Sequence, residues 1–240
     1  MVALSVEFAL PSGRQVIAII KGRRGAQRMT LRVDPISHRL VVNGPARVSK
    51  RDALNFVAAH HDWVERRFAA LPSSAPFLEG AHILFRGRPT LLRRRDGRGA
   101  AIYRDSEVPE LDIAAGEARF ERKVELALKA YAHSDALSFS DRLSPHLGVA
   151  PQSLALRDTR SRWGSCNSKG DIMLSWRLIA APPKVFEYVV AHELAHLREL
   201  NHSARFWGHV SALVPDWQMA RAWLKANGAQ LHALGRGGGL

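Results

Sequence analysis

The 240-residue sequence contains a single cysteine. One thiol excludes an intramolecular disulfide framework and fits a reducing compartment. No run reaches the ~18 uninterrupted apolar residues that a membrane-spanning helix needs, so no membrane partner is expected. The opening MVALSVEFALPSG lacks a basic n-region and is broken by Glu7. It does not read as a secretory signal, and the expected location is cytoplasmic. Acidic residues are scarce, 22 against 35 Lys and Arg, which leaves a net charge of +13. What remains is an ordinary globular composition, 46% hydrophobic and 24% charged, that excludes disorder, collagen and coiled coil. No internal repeat is evident.

The positive excess is uneven. Between Arg14 and Arg51 there are ten Lys and Arg and one acid, Asp34. A second basic cluster is formed by Arg86, Arg88, Arg93, Arg94, Arg95 and Arg98. Basic surfaces attract nucleic acid, nucleotides and acidic peptides, but they also keep proteins soluble. A polyanion partner for the basic N-terminal part is the expectation, with Lys21, Arg23, Arg24, Arg28 and Arg32 as contacts.

Residues 4–48 read as strands punctuated by Pro-Ser-Gly, Asp34-Pro35 and Asn43-Gly44-Pro45. Ser49 is placed to cap one helix that stops near Leu71-Pro72, and the following SSAPFLEG, residues 73–80, reads as a loop and a candidate boundary. Short strands follow through about Ile113. From Glu117 the apolar spacing turns helical until Pro145 and Gly148. Two strand-like runs, 153–166 and 171–179, are joined by Asn167-Ser168-Lys169-Gly170, a hairpin signal. Pro182-Pro183 opens a helix expected to run to Leu200, and two more follow, the last stopped by Gly228. This predicts an α+β fold with a basic β-rich part over residues 1–115, a second part over 116–233 and a disordered tail over 234–240.

The chemistry lies in His192-Glu193-Leu194-Ala195-His196. Two histidines four residues apart share one helical face and reach one ion, while the glutamate beside them holds a water without being a ligand. A catalytic zinc needs a third protein ligand and an open position. His202, ten residues after His192, is reached if the chain turns at Asn201, a residue that tolerates the left-handed conformation. Glu199 and His209 are the rivals; a +7 residue on a straight helix points past an ion held at +0 and +4. On spacing alone the choice stays open, with His202 preferred.

Arg162-Trp163-Gly164-Ser165-Cys166, Leu174-Ser175-Trp176-Arg177-Leu178, the His192/Glu193/His196 helix and Asn201-His202-Ser203 followed by Phe206-Trp207 together resemble the YgjP-like family of metal-dependent hydrolases. That family belongs to the zincin group with the SprT-like and WLM-type proteins. The likeness is close over residues 157–209 and looser upstream. It implies a zincin-like core, a small antiparallel sheet packed on the HExxH helix. It implies that His192, His196 and His202 hold Zn²⁺ and that Glu193 is the base. It also implies that the segment with Trp163 and Gly164 flanks the cleft, where an edge strand would pair with an extended peptide.

The preferred reading is a zinc metallopeptidase acting on peptide or protein, with Arg162, Trp163 and Gly164 as substrate contacts. Arg162, Tyr188 and His209 are candidates for stabilising the oxyanion. Two other readings stand beside it: hydrolysis of a nucleotide phosphoanhydride on the same metal, and a nucleic-acid-associated protease or binding module. Mn²⁺, Co²⁺ and Ni²⁺ are alternatives to Zn²⁺. Arg157, Arg160 and Arg162 alternate and are expected to share a sheet face. Cys166 reads as a structural thiol or an adventitious ligand. Trp207, Trp217 and Trp223 read as core.

Overall fold

The computed structural model describes residues 3–34, 37–71, 76–159 and 162–235. Pro35, Pro72, Arg160 and residues 236–240 lie outside them. The chain divides into two compact units, Met1–Ser73 and Ser74–Leu240.

In the first unit, β1 (Ala3–Ala9), β2 (Gln15–Arg23), β3 (Thr30–Asp34) and β4 (Arg39–Pro45) form one sheet in the order β1-β2-β4-β3. The outer pairs are antiparallel and β2 runs parallel to β4. Alternation does the sorting. Val16, Ala18, Ile20, Leu40 and Val42 are buried against Ala53, Val57, Val64 and Phe68 of two helices. Those helices are α1 (Lys50–Ala59) and α2 (His61–Ala69). Ser49 caps α1 as expected, its hydroxyl accepting from the Asp52 N–H at 3.0 Å. The single predicted helix breaks at His60, whose φ of −123° leaves the helical region and whose Nδ1 lies 2.8 Å from the Phe56 carbonyl.

The second unit repeats that strand plan. Strands β5 (His82–Phe85), β6 (Arg88–Arg95), β7 (Ile102–Arg104) and β8 (Glu110–Ala114) pair in the order β5-β6-β8-β7, again antiparallel, parallel, antiparallel. The division falls at 73/74 rather than at 115. Ile83, Phe85, Leu92, Leu111 and Ile113 share one apolar core with the helices that follow, so this sheet belongs with them. Helix α3 (Phe120–Leu147) buries Phe120, Val124, Leu128, Ala132, Ala136 and Leu143, and Gly148 ends it at φ +62°, a left-handed cap that glycine adopts at little cost.

Next come β9 (Ser153–Arg157), β10 (Gly164–Cys166) and β11 (Asp171–Ser175), ordered β10-β11-β9. The Asn167–Gly170 hairpin joins β10 and β11 as predicted, with Asn167 Oδ1 accepting from the Lys169 and Asp171 N–H groups. The run 153–166 is two strands, not one, and β9 adds parallel to β11, so this small sheet is mixed. Residues Trp176–Ala180 leave the sheet as a buried 3-10 turn. Three helices complete the unit: α4 (Pro183–Ala195), α5 (Ala204–Leu213) and α6 (Trp217–Ala233). Helix α6 passes through Gly228 without stopping, and Leu234, placed in the expected tail, is buried in the core.

The β5–β6 hairpin supports the start of α4. Its two turn residues, Arg86 and Gly87, both have positive φ, 49° and 78°, as a two-residue primed turn requires. The Arg86 N–H donates to the Ile179 carbonyl at 2.6 Å and the Gly87 N–H to Ala180 at 3.0 Å. A Cβ on Gly87 would lie 2.8 Å from Pro182 Cγ, so the hairpin tip fits against the residue preceding α4 only without a side chain.

Candidate metal centre

Helix α4 begins at Pro183, whose ring suits a first helical position, and carries His192 and Glu193 in its last turn. It ends at Ala195, so His196 is its C-terminal cap and the expected run to Leu200 is not helical. The chain turns tightly instead: the Arg198 and Glu199 N–H groups both donate to the Ala195 carbonyl at 3.0 Å. Arg198 then reaches away to the end of α3, its Nε donating to the Leu147 carbonyl at 2.9 Å and its Nη2 to Gly148 at 3.2 Å. Ser203 caps α5, accepting from the Phe206 N–H at 3.3 Å. His202 therefore sits on the returning strand of a loop anchored at both ends. Asn201 is not left-handed; among the described residues only His38 and Arg86 combine a side chain with positive φ.

The three imidazoles converge. Ring centroids are 5.1 Å apart for His192 and His196, 5.0 Å for His192 and His202, and 4.9 Å for His196 and His202. One ligand atom from each lies within 4.8 Å of the others. The Nε2 atoms of His192 and His202 face each other at 3.1 Å. His196 Nδ1 lies 3.1 Å from the Glu199 carbonyl oxygen; donation there fixes the tautomer and turns Nε2 toward the other rings. Glu199 thus contributes its backbone, and neither its carboxylate nor His209 joins the group among the described residues. Phe206, fully buried, forms the floor, its ring 4.8, 4.5 and 4.7 Å from the three imidazoles.

Burial, and then the neighbouring His196 and His202, hold His192 down at about 4; burial also lowers His196. Both are neutral at neutral pH, the form that binds metal. A three-nitrogen set with no fourth protein ligand among the described residues fits a divalent ion in a catalytic site; a structural zinc site closes with four.

Glu193 is 5% exposed and lies between α4 and β10. Burial pushes its carboxyl up to about 8, with Arg162 opposing the rise. Gly164 is what admits it: a Cβ at that position would lie 2.5 Å from Glu193 Oε1 and 2.7 Å from Cγ. Gly164 is thus a matter of close approach rather than of a turn.

A cavity of about 350 Å³ opens beside His192 and Glu193, bounded by Arg162, Trp163, Gly164 and Tyr188 from the predicted set. All three residues expected to touch substrate line it, as does Tyr188; His209 does not. Burial raises the Tyr188 hydroxyl, which keeps it a donor. Trp163 stacks on His232 at 4.1 Å, and a Cβ on Gly228 would meet its ring at 3.3 Å, which explains a glycine inside α6. Arg157 ends β9 while Arg162 precedes β10, so they do not share one strand, and Arg160 lies outside the described residues. Cys166 is half-buried; burial raises its thiol, and it is not in the ligand group. Trp207, Trp217 and Trp223 are half-buried and pack against the core. Trp207 stacks on Trp217 at 4.3 Å and lies 5.8 Å from both His192 and His202.

Sequence reasoning missed Arg198 as the anchor of the ligand loop, the Glu199 carbonyl as the partner of His196, and Arg221 and Lys225 on the cavity wall. The last pair carried a signal, i,i+4 spacing on a predicted helix; the first two carried none, because they depend on contacts between distant segments.

No curated protein matches the chain. Among solved structures, the metallopeptidase zymogen abylysin of Pyrococcus abyssi is similar over 38% of this chain and 93% of its own, at 20% identity and a TM-score of 0.36. A protein-family model described as YgjP-like, metallopeptidase domain, matches residues 27–227. With most of the chain covered, the protein belongs to the YgjP-like family and is a metal-dependent hydrolase.

Proposed function

We propose that the protein is a zinc metallopeptidase in which His192, His196 and His202 hold the ion and Glu193 is the general base. The observation that carries this is the convergence of three imidazoles beside one buried carboxyl group. When bound, the ion supplies Lewis acidity, lowering the pKa of water toward neutrality and polarising a carbonyl. Glu193 accepts the proton of the attacking water and passes it to the leaving nitrogen. The Tyr188 hydroxyl, kept protonated by burial, is the donor we assign to the developing oxyanion. Strand β10 lies at the edge of its sheet, and Trp163 and Gly164 border the cavity. An extended peptide pairing with that edge would gain main-chain hydrogen bonds there. Three imidazole nitrogens suit Zn²⁺ among the first-row ions. The exposed cations of the first unit, Arg23, Arg24, Arg28 and Arg32, support a secondary affinity for polyanions.

The test is to profile zinc-loaded protein against peptide and nucleotide libraries side by side. Peptide cleavage abolished by a chelator and restored by Zn²⁺ is the expected result. Nucleotide hydrolysis without peptide cleavage would replace this reading with the phosphoanhydride one.

A further inference from the structure

The cavity beside the metal centre has a strong charge bias. Among the described residues three cations line it, Arg162 on the strand side and Arg221 with Lys225 on α6, and the sole carboxyl group on its wall is Glu193. Arg221 and Lys225 are four residues apart and share one helix face. Among the described residues none of the three forms an ion pair. They differ in this from Arg86, Arg93, Arg94, Arg104 and Arg142 of the same unit, which pair with Asp135, Glu110, Glu79, Asp112 and Glu187. The Arg221 guanidinium lies 5.3 Å over the Trp207 ring and 6.0 Å over Trp217. Trp207 in turn lies 5.8 Å from His192 and His202. Stacking restrains a guanidinium while leaving its N–H edge available for a planar, two-point acceptor.

We propose that this cavity selects a substrate carboxylate next to the scissile bond, bound by Arg221 and Lys225 with Arg162 opposite. This inference rests on the peptidase reading above. The carboxylate is either an acidic side chain or the free C-terminus of the peptide; both present the same fork-matched acceptor. A nucleotide would bring its phosphates to the same cations, but the sequence offers neither a glycine-rich phosphate loop nor an acidic cluster for Mg²⁺.

The experiment compares zinc-loaded wild type with Arg221→Gln, Lys225→Gln and Arg162→Gln on matched peptides. One series carries Glu or Gln at each position flanking the cleaved bond. The other carries a free or an amidated C-terminus. The expected result is that one series shows at least a ~10-fold preference in kcat/KM for the carboxylate, the size of a single charge-assisted contact. That ratio falls toward one in Arg221→Gln or Lys225→Gln and persists in Arg142→Gln, where a paired arginine is removed. The series that responds identifies the source of the carboxylate. Equal cleavage within both series, or a preference untouched by all three cavity variants, overturns the proposal. Binding is followed in parallel by tryptophan fluorescence on Glu193→Gln protein, which binds without turnover. If no peptide is cleaved, the peptidase reading fails; the carboxylate reading fails separately if acidic and neutral peptides bind that protein equally.

Discussion

The first and second units each contain a four-stranded sheet of the same strand order and directions, and they handle arginine in opposite ways. In and beside the first sheet, Arg23, Arg24, Arg28 and Arg32 are exposed and make no ion pair among the described residues. Acids are nearly absent there, with Asp34 alone between Arg14 and Arg51. In the second sheet, Arg88, Arg93, Arg94 and Arg104 pair with Asp105, Glu110, Glu79 and Asp112. The two basic clusters look alike as composition, yet Arg86, Arg88, Arg93 and Arg94 of the second are held in internal pairs. Apart from Arg104–Asp112, whose carboxylate is buried, the exposed pairs among these contribute little stability each. Arg162, Arg221 and Lys225, which make no ion pair among the described residues, line one cavity of that unit. The sheets differ in a second way. The first closes its own core with α1 and α2, whereas the second shares its core with α3 and α4 and braces the start of the metal-centre helix.

If the second unit holds the chemistry, the largest effect should come from its ligand loop. His202→Ala should lose metal by more than the ~10–100-fold in affinity that removal of an outer-shell partner costs, and turnover should fall with it. Glu199→Ala should keep its metal, because position 199 contributes a backbone carbonyl. Metal content per chain decides, and the reverse pattern would make Glu199 the ligand.

A smaller but sharper effect is expected at Gly164. Gly164→Ala places a methyl group within 2.5–2.8 Å of Glu193 and must displace it. Turnover should drop by up to the ~10²–10⁴-fold that a general base contributes, with metal content unchanged. Near-normal turnover would show that Glu193 tolerates displacement.

The third effect concerns metal-free protein. Glu193 stays protonated up to about pH 8 when folded and ionises near 4.5 when unfolded. Across that window the folded state binds the extra proton, so this contribution to stability is complete below 4.5 and is lost as pH rises through 8. Gln cannot titrate. The stability of chelated wild type relative to Glu193→Gln should therefore fall from pH 5 to pH 8 in urea melts. A relative stability that rises over that range contradicts the burial of Glu193.

The smallest effect on chemistry should come from the first unit. Replacing Lys21, Arg23, Arg24, Arg28 and Arg32 by Gln should leave metal content untouched. It should lower affinity for heparin or DNA and flatten its salt dependence, since phosphate or sulfate contacts release counterions. A flat salt dependence in wild type would remove the polyanion reading.

Much of this was readable from residues alone. Ser49, Gly148 and Asn167–Gly170 act locally, so their cap, stop and hairpin appear where spacing predicts them. His192, Glu193 and His196 were legible because one helical turn brings them together. His202 was legible only as a preference, since its position depends on Arg198 binding the end of α3, 51 residues away in sequence. The same limit explains the helix carried through to Leu200, which depends on which distant segments pack together, something helical period does not report. The division at 73/74 falls at the start of SSAPFLEG, residues 73–80, a boundary that local composition offers. Gly228 shows the converse: a residue that reads locally as a stop is tolerated inside α6 because Trp163 needs the space.

The most direct test of the account is to measure turnover and metal content together on zinc-loaded Glu193→Gln protein with a cleavable peptide. Gln is nearly isosteric and cannot take a proton. The account predicts metal at the wild-type level, His192, His196 and His202 being intact, and turnover reduced by about 10²–10⁴-fold or more. Wild-type turnover with metal retained would contradict the assignment of Glu193 as the base.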